Sequence, residues 1–266
     1  MRIKRTLTLA AMLLAAVLCT ACASETETQE PLPQLVIGSD NYRPYHYLDE
    51  NDRPAGIDVE LAREACRRMG YEPVFTQIDW DRKDALLESG AVDCLWGCFS
   101  MNGRETDYLW AGPYLYSHQL VAVRADSDIP SLADLTGRRV AVQIGSKAEE
   151  ILSGAAGDQV PEAGTLYCLS DMDEITTALR KHYVDACASH AAALAESLQN
   201  TGIAYRFLDQ ELLRSQLGVA FAPDGDAALC ARLNETLDEM RRDGTVARVL
   251  TAYGLDAEKA LVEAAS

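Results

Sequence analysis

Short apolar runs alternate with amphipathic segments along most of the chain. LVIGSD, beginning at Leu35, reads as a strand that ends in a turn. IDVELAREACRRMG follows, with apolar residues at 57, 59, 61, 62, 65, 66 and 69. That spacing predicts a helix closed by Gly70. EPVFTQI, VDCLWG, RRVAVQIG and VDACAS read as further strands. DRKDALLESG, SKAEEILSG, DEITTALRKHY, AALCARLNETLDEMRRDG and TVARVLTAYG read as helices. Ser146 is placed to cap SKAEEILSG and Gly154 to end it. Strands that alternate with helices predict an α/β fold with largely parallel sheets. QLVAVRADSD and QLGVAFAPDGD are two apolar strands far apart in sequence, each running into polar, turn-rich residues. They suggest a double hinge near 122–125 and 217–221. One lobe is then 34–121 plus 222–266, and the other 126–216.

Composition narrows the function classes. Of 266 residues 48% are hydrophobic, enough for a substantial core. The formal charge of −17 repels phosphate backbones and argues against a nucleic-acid partner. The N-terminus is read apart from the fold. MRIKR is basic, LTLAAMLLAAVLC is a short apolar run, and small residues follow, the layout of an export signal over 1–21. Ala21-Cys22-Ala23 suits ordinary cleavage. Leu18-Cys19-Thr20-Ala21-Cys22 resembles a bacterial lipobox, with Cys22 as the lipidated residue and Cys19 departing from the usual Leu. The second is favoured, with 22–33 as a flexible tether to a membrane. Six cysteines remain beyond Cys22. Cys94 and Cys98, on an extended segment, would stand roughly 13 Å apart, beyond disulfide reach. The six are expected to be small buried hydrophobes, and no spacing suggests a metal site.

Several blocks together carry a family resemblance over about residues 34–255. GSDNYRPYHY looks like an opening G-x-D-x-x-Y-x-P-F, and GIDVELAREACRRMGYEPVF like G-F-D-x-D-L with its following strand. IDWDRKDALLESGAVD looks like W-x-x-L-x-x-L-x-x-G-x-x-D. GRETDYLWAGPYLYS is similar to an R-containing block ending in F-S-x-P-Y. SLADLTGRRVAVQIGSKAE is similar to D-L-x-G-x-x-V-x-V-x-x-G-S/T. In this order the blocks resemble the extracytoplasmic solute-binding proteins of amino-acid ABC importers. The resemblance implies a two-lobed type II periplasmic-binding fold with a double-strand hinge. It also implies a monomeric receptor without cofactor, holding a small carboxylate ligand between its lobes for a membrane permease.

By the same resemblance Arg104 is the ligand-carboxylate residue, suited to it by the two parallel hydrogen bonds of a guanidinium fork. Gly145, Ser146 and Lys147 open a helix on the facing lobe, where free N–H groups would grip the same carboxylate. Tyr42 and Trp80 match the rings that sandwich a ligand side chain. Asp40 lies on the rim, placed either to meet a cationic group or to cap a turn, and Gly97 joins the expected contacts. His190 stands where the family has an aspartate for the ligand ammonium. Phe99 and Met101 replace a hydroxyl donor and a threonine. Two ligand types fit these departures: a carboxylate without an α-amine, aromatic or bulky, or an amine whose charge Asp40 or another acid meets. Two other functions share this fold, a cyclohexadienyl-dehydratase-like enzyme and a ligand-sensing subunit of a signalling complex.

Overall fold

The computed structural model describes residues 31–155 and 163–262. The expected export signal, the lipidation position Cys22 and most of the tether lie outside them. The described residues from Pro33 onward form one compact unit. Its elements in chain order are β1 (Gln34–Ser39), β2 (Tyr47–Leu48), β3 (Pro54–Ala55), α1 (Ile57–Met69) and β4 (Glu72–Gln77). Then come α2 (Lys83–Glu88), β5 (Cys94–Ser100), β6 (Leu109–Arg124), β7 (Arg139–Gln143), α3 (Lys147–Leu152) and β8 (Thr165–Leu169). The last are α4 (Met172–Arg180), β9 (Ala186–His190), α5 (Ala191–Gln199), β10 (Tyr205–Phe207), β11 (Leu213–Phe221), α6 (Ala227–Arg242), α7 (Thr245–Ala252) and α8 (Ala257–Leu261).

Nine strands make one sheet in the order β4-β1-β5-β11-β6-β9-β7-β8, with β10 also on β6. β1 pairs in parallel with β4 and β5, and β7 with β8 and β9. These are the βαβ units that the alternating pattern predicts. The centre differs: β11 runs antiparallel to both β5 and β6, and β6 antiparallel to β9. The sheet is therefore mixed, and the two lobes share it. The cause is β6, whose 16 residues run on where a turn would end an ordinary strand. Its first part is held by β11 up to Gln119, and from Gln119 onward it is held by β9. Val121, Val123, Val140, Val142, Ile129, Leu135 and Leu152 bury a core on the second half. Leu35, Ile37, Leu61, Cys66, Leu233 and Leu250 belong to the larger core, in which α1, α6 and α7 take part.

Two local features set up the site. α1 starts at Gly56 with φ 122, and a Cβ there would lie 2.2 Å from the Tyr45 carbonyl oxygen, so only glycine fits. The start delivers Asp58, 1% exposed, under β5. Asp58 accepts from the Cys98 N–H at 2.7 Å and from the Tyr114 hydroxyl at 2.8 Å. Cys98 has φ 53, a left-handed conformation unusual for a side-chain-bearing residue. The carboxylate holds this kink in β5 from behind. Burial pushes the Asp58 pKa up to about 7. The six cysteines are free; five are buried and Cys168 is exposed, its Sγ donating to Glu149 Oε1 at 3.1 Å. Among the described residues no helix is long and apolar enough to cross a membrane, and no cluster of three metal-binding side chains forms.

Candidate functional site

A narrow cavity lies where the strand ends of the two lobes face each other. Asp40, Tyr42, Trp80, Gly97, Arg104, Ser146, Lys147 and His190 all line it, as does Phe99, while Gly145 and Met101 are not among its lining residues. Asp40 and Tyr42 leave the end of β1, and Trp80 follows β4. Gly97 is in β5, packed so closely on Ser39 that a Cβ would lie 2.1 Å from its hydroxyl oxygen. The other lobe supplies Ser146 and Lys147 after β7, and His190 at the end of β9. Trp96 and Tyr114 are fully buried and stay in the core.

Arg104 is 9% exposed. Its own turn holds it, the N–H donating to the Met101 carbonyl at 2.8 Å and its carbonyl accepting from Trp110 Nε1 at 2.9 Å. The guanidinium carbon lies 5.2 Å from the Phe99 ring centroid. Phe99, which takes the place of a hydroxyl donor, thus acts as a platform for the arginine, and Trp80 packs edge-on against it at 5.0 Å. Across the lobes Arg104 Nη2 meets Glu150 Oε2 at 3.0 Å and the Gly145 carbonyl at 3.4 Å. Lys147, itself 8% exposed, joins Glu150 at 2.8 Å.

The start of α3 behaves differently from the sequence expectation. Ser146 Oγ accepts from the Glu149 N–H at 3.2 Å, and the Glu149 carboxylate takes the Gly145 N–H at 2.5 Å. Ser-Lys-Ala-Glu has the capping-box sequence, but its acid takes the N–H of Gly145, one residue before the cap, the donor that an incoming carboxylate was expected to find. The positive charge at this end therefore comes from side chains. Sequence reading missed one of them: Lys83, 6% exposed, with Nζ 3.0 Å from where a Gly145 Cβ would stand. Burial lowers its pKa.

The opposite end is acidic. Asp40 is 8% exposed and accepts from Gln143 Nε2 at 2.5 Å. Burial, with a smaller contribution from nearby Asp171, raises its pKa to about 6. Asp40 and Trp80 also line an adjoining, larger chamber, together with Asp79, Asp81 and Asp171. Tyr42 hydrogen-bonds to Ser189 across the cleft and stands edge-on to His190 at 6.1 Å. His190 is buried, and burial pushes its pKa down to about 3, so its ring is neutral. Gln119, Gln143, Ser100 and Ser189 are cavity residues that sequence reading did not find. Their signal is weak because each is a single neutral polar residue within or at the end of a strand.

A two-lobed α/β fold with a narrow cleft, lined by charges of both signs at opposite ends, defines a receptor for small solutes. Residues 35–256 match the family model for bacterial extracellular solute-binding proteins, family 3, and the chain belongs to that family. It is 28% identical over 239 residues to the arginine-binding extracellular protein ArtP of Bacillus subtilis, covering 86% of this chain and 90% of that protein. It is 26% identical over 249 residues to the histidine-binding periplasmic protein of Salmonella typhimurium, covering 89% and 94%. Among solved structures, Tv2483 bound to L-arginine has a TM-score of 0.73 at 27% identity, covering 83% of this chain and 90% of that one. An ancestral arginine-binding protein bound to arginine has a TM-score of 0.73 at 26% identity, with coverage of 83% and 97%.

Proposed function

We propose that the protein captures an amino acid with a cationic side chain outside the cytoplasm and hands it to an ABC importer permease. The ligand carboxylate sits against Arg104 and Lys147, its chain between Tyr42 and Trp80, and its distal cation toward Asp40. The observation that carries this reading is Asp40: a buried carboxylate met by a neutral amide, opening on a chamber with three further aspartates. An unpaired buried charge is costly, and a ligand cation relieves it. The names of the arginine- and histidine-binding relatives support the same class. Closure is a rotation of the lobes about β6 and β11, favoured by ligand contacts that exist only when both lobes meet. Capture requires no chemistry, so incubation with a prephenate-like substrate should yield no product.

Titration calorimetry with L-arginine and L-citrulline tests the reading, because citrulline keeps the shape and lacks the charge. Arginine should bind tighter by about 10- to 100-fold, the range for hydrogen bonds to charged groups. Equal affinities, or binding confined to neutral amino acids, would overturn it. The N-terminal pattern supports a lipid anchor at Cys22 on a monomeric receptor, and detergent-phase partitioning of wild type against Cys22→Ala tests the anchor.

A further inference from the structure

Gln119 has no part in that reading, yet it lines the cavity and is 1% exposed. It stands on β6 directly opposite His190 of β9. Its amide nitrogen donates to His190 Nε2 at 3.1 Å and reaches Ser100 Oγ at 3.5 Å. An Nε2 that accepts leaves the ring proton on Nδ1, which faces Ser117 Oγ at 3.0 Å. Both ring nitrogens are thus engaged within the protein, and His190 has neither charge nor a free nitrogen to offer a ligand. The ring instead fixes which end of the Gln119 amide points toward it. The other end, Oε1, is buried without a hydrogen-bond partner. A buried carbonyl left so is destabilising, and buried acceptors are nearly always satisfied.

We propose that Gln119 Oε1 receives a hydrogen-bond donor of the bound solute, and that His190 is the positioning residue that turns it there. The proposal rests on the receptor reading above and narrows its substrate class. The solute carries, besides its carboxylate, an N–H or O–H group that reaches Gln119. A bare carboxylate leaves that oxygen unpaired.

The test measures affinity for L-arginine and for 5-guanidinopentanoic acid, its analogue without the α-amine, by calorimetry. Wild type should prefer arginine by about 10- to 100-fold, the cost of an unpaired buried polar group. Gln119→Met keeps the size and removes the acceptor. It should weaken arginine binding until the preference is gone, leaving the analogue within about twofold of wild type. Gln119→Glu keeps an acceptor oxygen and should retain the preference, which covers the case in which the Met variant fails to fold. His190→Leu should reduce the preference, and His190→Asn, which keeps a hydrogen-bonding group, should restore part of it. The proposal is overturned if wild type shows no preference. It is equally overturned if Gln119→Met weakens both ligands alike, or if Gln119→Glu folds and loses the preference. Wild type that binds neither ligand overturns the receptor reading for this class, and the proposal with it.

Discussion

The two ends of the cavity are finished in opposite ways. At one end Arg104 and Lys147 are buried but already share a carboxylate, Glu150, contributed from α3. At the other end Asp40 is equally buried and has a neutral partner, and its proton affinity rises in consequence. The first end holds its cations in place before any solute arrives. The second carries an unrelieved cost of desolvation. An end that supplies its own counter-ion gives geometry, and an end without one gives discrimination by charge.

The largest effect that would break this contrast is at the arginine. Arg104→Ala should weaken arginine binding by about 2–5 kcal/mol, the cost of removing one partner of a buried charge pair. Calorimetry reads the loss, and a melting curve close to wild type shows that the fold survives. Undiminished affinity would remove Arg104 from the site. Next comes Asp40→Asn, which should reduce arginine affinity to that of citrulline, a loss of about 1.5–3 kcal/mol. The ligand-free variant should melt higher than wild type near neutral pH, because a buried unpaired charge is gone. A lower melting point would mean that Asp40 is paired in a way the geometry does not show.

The pH dependence follows from the same group. The Asp40 pKa stands at about 6 in the folded protein against an ordinary 3.8. Its protonated form is the one the ligand-free fold favours. That contribution to stability is present below the ordinary value and is lost as pH rises through about 6. A cationic ligand selects the deprotonated form. Affinity should therefore fall as pH drops below about 6, by at most roughly tenfold per pH unit, with proton release on binding near that pH. A flat profile between acid and neutral pH would separate Asp40 from the ligand. The smallest effect belongs to Glu150→Gln. A partly exposed ion pair contributes about 0.2–1 kcal/mol, so the ligand-free lobes should open slightly, measurable as a larger radius of gyration by solution scattering. No change would mean that the pair orients Arg104 without helping to hold the lobes.

What was legible in the sequence was local. Turns such as GSD and GSK, the helix starts and the aromatic positions after strands are set within a few residues. Asp40, Tyr42, Trp80, Arg104, Ser146, Lys147 and His190 were singled out because they sit in short blocks that resemble the family's, and they line one cavity. What was missed depends on pairing at a distance. Gln119 gains meaning only because β6 brings it opposite His190, 71 residues later. Glu150 reads as one more acid on an amphipathic helix until Arg104 arrives from the other lobe. Lys83 looks like a solvated helix charge, yet it is buried at the seam. The donor at Gly145 was over-read. The capping-box sequence Ser-Lys-Ala-Glu is visible, but that its acid reaches past the cap to the Gly145 amide emerges only from three-dimensional placement. The continuous β6 was also hidden, since its proline- and glycine-containing first part does not look like a strand that crosses a molecule.

That strand has a mechanical consequence. Two separate bodies brought together surrender translational and rotational freedom worth an estimated 4–15 kcal/mol. Here β6 belongs to both halves, so they are never apart, and closing removes little more than a swing about one axis. A solute of a dozen heavy atoms has few contacts to offer, and although it still gives up its own freedom on capture, none of them is needed to bring the halves together. A molecule woven from a single sheet can be shut by something very small.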